Sequence, residues 1–192
     1  DKYPARAASA LDFPERPADK TMTAVLDWLA VQNGRWFLWV HLFDPHAPYA
    51  PPEPYATRFA QDPYSGEVAY VDDTLGKLFA AIDARGESGR TLVILTADHG
   101  ESLGEHGEMT HSYFAYNSTL WVPLVVAGPG LKAARVKDLV SHEDIFPTVC
   151  DLLGLQKPAD LPGRSFSPLL EGRSRKARPV YFEALEGYYH RG

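Results

Sequence analysis

Cysteine is all but missing from the chain. One residue in 192, Cys150, excludes an internal disulfide and leaves the redox compartment undecided. It lies in the apolar stretch "PTVCDLLGL", where packing is its expected role. Long hydrophobic runs are missing too: "WFLWVHLF" and "LWVPLVVA" have the length of strands, far below the roughly 20 residues of a spanning helix, so no transmembrane segment is expected. A basic stripe is also lacking. Lys and Arg total 19 against 25 Asp and Glu, a net charge of -6, so nucleic acid is not an expected partner. Internal repeats and low-complexity blocks are absent, as are a secretory leader at the start and an initiator methionine. The chain is therefore read as a piece of a longer product.

What is present fits a globular protein. Charged residues make up 23% and the hydrophobic set 45%, enough for one sizeable core. A single domain over 1–192, or part of a larger one, is expected, with 1–20 a proline-rich loop or extended lead-in. "TMTAVLDWLAVQN" spaces Met22, Val25, Leu26 and Leu29 as a helix ending near Asn33-Gly34. "RWFLWVHLF" follows as a buried strand and runs into the proline-stiffened "DPHAPYAPPEPY". A second helix should carry Val68, Val71, Leu75, Leu78, Phe79 and Ile82 on its buried face, with "RTLVILTAD" the next buried strand. "LWVPLVVAGPG" and "ARVKDLV" read as further strands, "SHEDIFPTVCDLLGL" as a helix capped by Ser141 with Asp144 three residues on, and "PVYFEA" as a final strand. This helix and strand order predicts an α/β fold: a mostly parallel sheet with helices on both faces. Ligands then gather beyond the carboxyl ends of the strands, where both unusual loops fall, so the two are expected to share one site.

The second of those loops, "TADHGESLGEHGEMTH", holds the densest chemistry. Asp98 and His99 follow a strand, and Gly100 gives the backbone room to turn, so one hard oxygen and one imidazole nitrogen offer half of a divalent cation site. Alone, the dipeptide reads sooner as a turn-capping aspartate beside a solvated histidine; the charged, glycine-rich loop around it turns the reading toward a site. His111 arrives after the loop has length to fold back, just before a short helix at "SYFAYNS". There it would grip an anionic group or protonate a leaving group, or simply cap the helix. His46, between prolines in "DPHAPY", suits preorganised binding or a stiff surface turn. Glu101 and Glu105 are candidate partners behind the ligands. His41 is expected in the core, His142 in a helix first turn and His190 at a frayed end, and Trp28, Trp36, Trp39 and Trp121 are expected to be core.

Together, "DPHAPYAPP", "TADHGESLGEHG" with His111 beyond it, "VPLVVAGPG" and "SHEDIFPTVCDLLGL...LPGRSFSPLL" resemble, in that order, sulfatases of the alkaline phosphatase superfamily, from about Trp36 to Leu170. The resemblance implies an alkaline-phosphatase-like or sulfatase-like α/β fold, here incomplete, and a sulfuric ester hydrolase in which a divalent cation, usually Ca2+, holds the nucleophile and the sulfate oxygens. It maps the metal ligands onto Asp98 and His99, the sulfate-contacting or leaving-group-contacting histidine onto His46, and a residue on the transferring group onto His111, where many sulfatases carry lysine. A small sulfated or phosphorylated substrate is implied.

The family also carries an early [CS]-x-P-x-R pattern, whose first residue becomes the formylglycine nucleophile. No such pattern occurs here. The nucleophile is thus expected in a missing N-terminal part of the same protein, and this chain alone is expected to be inactive. Two alternatives stay open: a relative using a threonine nucleophile with Zn2+ or Mn2+, such as a phosphoethanolamine transferase or phosphodiesterase, and a non-catalytic binding module. Relatives often act in the periplasm or outside the cell, and the sequence does not place this one.

Overall fold

A computed structural model describes residues 15–184. The lead-in through residue 14, the C-terminal residues from 185 and His190 lie outside them. The chain divides into two compact units, Asp1–Gly89 and Arg90–Gly192.

In the first unit, helix α1 (Ala18–Ala30) buries Ala18, Met22, Val25 and Leu29, as the spacing of its apolar residues predicts. Helix α2 (Tyr55–Arg58) is a single turn. Helix α3 (Pro63–Ala84) starts with Pro63 behind an N-cap, the Asp62 carboxylate accepting from the Ser65 N–H at 3.1 Å. Met22, Val25 and Leu29 pack on Leu78 and Ile82, and each such fully buried side chain contributes about 1.5–3 kcal/mol. Arg85 closes the open end of α1 by donating to the carbonyls of Leu29 and Gln32, each at 3.0 Å, while Glu87 holds its Nε at 3.0 Å.

The buried face of α3 is rotated from the expected one. Glu67, Tyr70, Thr74, Leu78 and Ile82 are buried, whereas Val68 and Phe79 are 43% and 41% exposed. The cause is polar: the Glu67 carboxylate accepts N–H groups of the proline-rich loop, so it must face inward. Residues 36–43 join no sheet among the described residues. They run extended, with Trp36, Leu38 and Val40 on the helical core and Phe37 and Trp39 outward. His41 is exposed rather than core, because it falls on the outward side of this alternation.

In the second unit the sheet is a correction to the expected one. Strands β1 (Val93–Thr96) and β2 (Leu124–Ala127) pair antiparallel, Val93 opposite Ala127 and Thr96 opposite Leu124, and no parallel neighbour occurs among the described residues. "ARVKDLV" and "PVYFEA" form no strand. Trp121 is 81% exposed, so of the four tryptophans only Trp36 is engaged with core and the expectation of a tryptophan-rich core fails. Helix α4 (Asn117–Leu120) precedes β2. Helix α5 (Ile145–Leu153) follows a turn of 3-10 helix at His142–Asp144, where the Ser141 N–H donates to the Asp144 carboxylate at 3.3 Å, as the capping pattern predicts. Cys150 is buried within α5. Gly154 ends α5 at φ 64°, and helix α6 (Ser167–Leu170) is tied back through the Phe166 N–H, which donates to Thr148 Oγ1 at 2.9 Å.

Candidate functional site

β1 delivers the site. Past Thr96, the Ala97 carbonyl meets His142 Nε2 at 2.8 Å, which ties the strand end to the turn before α5. Gly100 then passes so close to α4 that its N–H donates to the Thr119 carbonyl at 2.8 Å. Asp98 and His99 are left between these two anchors, with side chains 71% and 43% exposed.

The loop beyond folds back as a hairpin. The Ser102 N–H donates to the Thr110 carbonyl and the Gly104 N–H to the Glu108 carbonyl, both at 2.9 Å, around a 3-10 turn at Glu105–Gly107. His106 sits at the tip with φ 56°, stacked on Tyr116 at 3.8 Å. Two glutamates brace this shape by accepting N–H groups: Glu105 takes that of Leu103 at 2.6 Å, and buried Glu108 takes that of Tyr113 at 2.8 Å. The return arm brings His111 against His99, ring centroids 4.0 Å apart, and Glu101 Oε1 lies 3.1 Å from His111 Nδ1.

The donor chemistry of Asp98 and His99 suits a cation. His99 Nδ1 lies 2.8 Å from the Gly100 carbonyl, which can only accept, so Nδ1 is the donor there, and in the neutral ring Nε2 is the nitrogen with the lone pair a metal needs. That Nε2 lies 3.8 Å from Asp98 Oδ2, a separation that adjacent ligands show around one ion with bonds of about 2.4 Å. Asp98 Oδ1 accepts the His99 N–H at 3.0 Å, which fixes the carboxylate. The pair fits part of a coordination sphere; among the described residues no group of three or more His, Cys, Asp or Glu side chains completes it.

His46 lies in the first unit, held by a different device. Glu67, buried on α3, accepts the N–H groups of His46 at 3.0 Å and Ala50 at 2.7 Å, and so pins the proline-rich loop at two points. Burial pushes the Glu67 carboxyl up, the two N–H groups pull it down, and the net shift is upward. The His46 ring packs on Phe43 at 4.4 Å and faces Glu15 at 3.5 Å. Thus Asp98, His99 and His111 are brought together within one hairpin, while His46 is placed within its own unit. Sequence reasoning missed Glu67. Its signal was an acidic residue in register with Tyr70, Thr74 and Leu78, which an apolar count passes over.

A family model described as Sulfatase matches residues 3–155. Arylsulfatase K of Xenopus laevis is 33% identical over 114 residues, covering 59% of this chain and 21% of that protein. The multifunctional alkaline phosphatase superfamily protein PehA of Trinickia caryophylli is 37% identical over 115 residues, covering 57% of this chain and 22% of that one. The matches thus span about a fifth of these relatives' length. Among solved structures, the phosphonate monoester hydrolase of Agrobacterium radiobacter superposes with a TM-score of 0.77 at 25% identity, over 93% of this chain and 49% of that one.

Proposed function

Because the chain belongs to the sulfatase family, we propose that it is the part of a sulfuric ester hydrolase that binds the cation and the leaving group. The observation that carries this reading is the meeting of Asp98, His99 and His111 in one loop, with Asp98 Oδ2 and His99 Nε2 3.8 Å apart and the His111 ring tilted against that of His99, centroids 4.0 Å apart. Asp98 and His99 would hold a divalent cation, Ca2+ in this reading, which when bound offsets the negative charge on the transferring group. His111, next to that position, donates a hydrogen bond or a proton to an oxygen of the ester, and His46 contacts the sulfate or leaving-group oxygen. The nucleophile comes from the remainder of the longer protein, since the formylglycine pattern is not in this sequence, and the 192 residues alone do not turn over.

A second reading, hydrolysis of a phosphonate or phosphate ester at the same residues, is supported by the likeness to the Agrobacterium radiobacter phosphonate monoester hydrolase. Sulfate and phosphonate esters both place anionic oxygens on a tetrahedral centre, so the same ligand pair serves either. The deciding experiment gives the full-length protein an aryl sulfate and an aryl phosphonate monoester in parallel, as wild type and as Asp98→Ala. Asp98→Ala is expected to abolish turnover and to lower bound metal. Retention of both would remove the site assignment, and the preferred ester decides between the two readings.

A further inference from the structure

We propose that Glu101 is the positioning residue of this site: its carboxylate holds the His111 imidazole by Nδ1 and thereby selects Nε2 as the nitrogen presented to the ester. The inference rests on the placing of His111 at the transferring group. Glu101 follows the Asp98-His99-Gly100 run at the start of the hairpin, and its side chain is 7% exposed. A carboxylate so enclosed is costly unless it is paired. The partner its side chain has in the structure is His111, with Nδ1 at 3.1 Å.

The chemistry of the contact is directional. An ionised carboxylate only accepts, so the Nδ1 it meets carries the proton. Nε2 is then an acceptor when the ring is neutral and a donor when it is cationic. The hairpin sets the distance: the pairs Ser102 with Thr110 and Gly104 with Glu108 bring the two arms into register, and Glu101 and His111 fall one step beyond the Ser102 pair. The ring of His99, 4.0 Å from that of His111 at a tilt of 32°, limits rotation from a second side. The orientation of the ring is therefore set before substrate arrives, which is what preorganisation requires.

The test uses the full-length protein with 4-nitrophenyl sulfate as probe, and compares Glu101→Leu, Glu101→Gln, His111→Ala and the Glu101→Leu/His111→Ala double variant. kcat and KM are measured separately, with bound metal, melting temperature and the 15N signals of the His111 ring. Glu101→Leu is expected to lower kcat by about 10–100-fold with KM, metal content and melting temperature held, and to lose the Nδ1-protonated ring signature. Glu101→Gln, which keeps an acceptor oxygen, is expected to recover part of the rate. The double variant should be no slower than His111→Ala alone, since Glu101 acts through that ring.

An equal further slowing of the double variant would overturn the proposal, as would an Nδ1 proton that persists in Glu101→Leu. If the leucine variant does not fold, Glu101→Gln carries the test: a shifted ring signal and a lowered kcat support positioning, and no change in either overturns it. Loss of rate in His111→Ala beside unaffected Glu101 variants removes the positioning role alone. An unchanged kcat in His111→Ala removes the assignment of His111 and with it the proposal.

Discussion

Gly100 donates its N–H to the Thr119 carbonyl at 2.8 Å, and the approach is so close that a Cβ on Gly100 would fall on the Ser118 carbonyl oxygen. The contact joins the end of β1 to α4, so the direction in which Asp98 and His99 project depends on a residue with no side chain. Gly100→Ala is expected to cost about 1–3 kcal/mol, the usual penalty of overpacking. Melting followed by circular dichroism measures it. A variant as stable as wild type would mean the backbones separate there without cost.

Asp144 provides a pH-dependent prediction. Burial pushes its carboxyl up, but the Arg164 N–H, the Arg175 guanidinium and the Ser141 N–H hold it below the ordinary value of 3.8. It is fully buried, and Arg175 donates to Oδ2 through two nitrogens at 3.1 Å each while Arg178 reaches Oδ1 at 2.6 Å. A depressed folded-state value means that the ionised carboxylate stabilises the fold above 3.8 and that this contribution disappears as pH falls through the lower folded value. Asp144→Asn should therefore be less stable by about 3 kcal/mol near neutrality. The gap should close only in acid, and a gap of constant size down to acid pH would contradict the ion-pair account.

Glu67 should govern the loop that carries His46. Its carboxylate is the acceptor for two loop N–H groups, so Glu67→Ala leaves the amides of His46 and Ala50 unpaired. Amide hydrogen exchange should accelerate at those two residues while the α1 and α3 amides stay protected. Equal protection in the variant would show that the prolines alone hold the loop.

His111 is expected to act on the ester rather than on the cation. In the full-length protein His111→Ala should lose turnover by about 100-fold or more, as removal of a general acid does, with bound metal retained. Elemental analysis beside kinetics separates the outcomes. Loss of metal along with rate would make His111 a ligand instead.

Much of the helical structure was legible because its signals are local. The spacing of Met22, Val25 and Leu29 and the Ser141 to Asp144 cap each depend on neighbours within a turn or two. The sheet was not, because pairing direction depends on a partner distant in sequence: nothing within "RTLVILTAD" states that it meets Leu124–Ala127 head to tail. The period of residues 36–43 was also misread, since an unbroken apolar run looks buried on both sides although Phe37 and Trp39 point outward. The closeness of Asp98, His99 and His111 was foreshadowed by loop glycines and by the length between them. The part of Glu67 was hidden, because a carboxylate shows no apolar periodicity and its purpose is set by the N–H groups it meets, whereas Glu101 was legible as a partner behind the ligands but not as the partner of His111.

The paired arms of the hairpin also serve as a ruler. Ser102 against Thr110 and Gly104 against Glu108 fix the register, so removing one residue from either arm shifts His111 past Glu101 by about 3.3 Å, the rise of one extended residue. The tip at Glu105–Gly107 is closed by the Gly104–Glu108 pair. A residue added at the tip would disturb the Glu105 and His106 contacts there, while the Ser102–Thr110 pair keeps Glu101 opposite His111, which makes that turn the place for a reporter group in the laboratory.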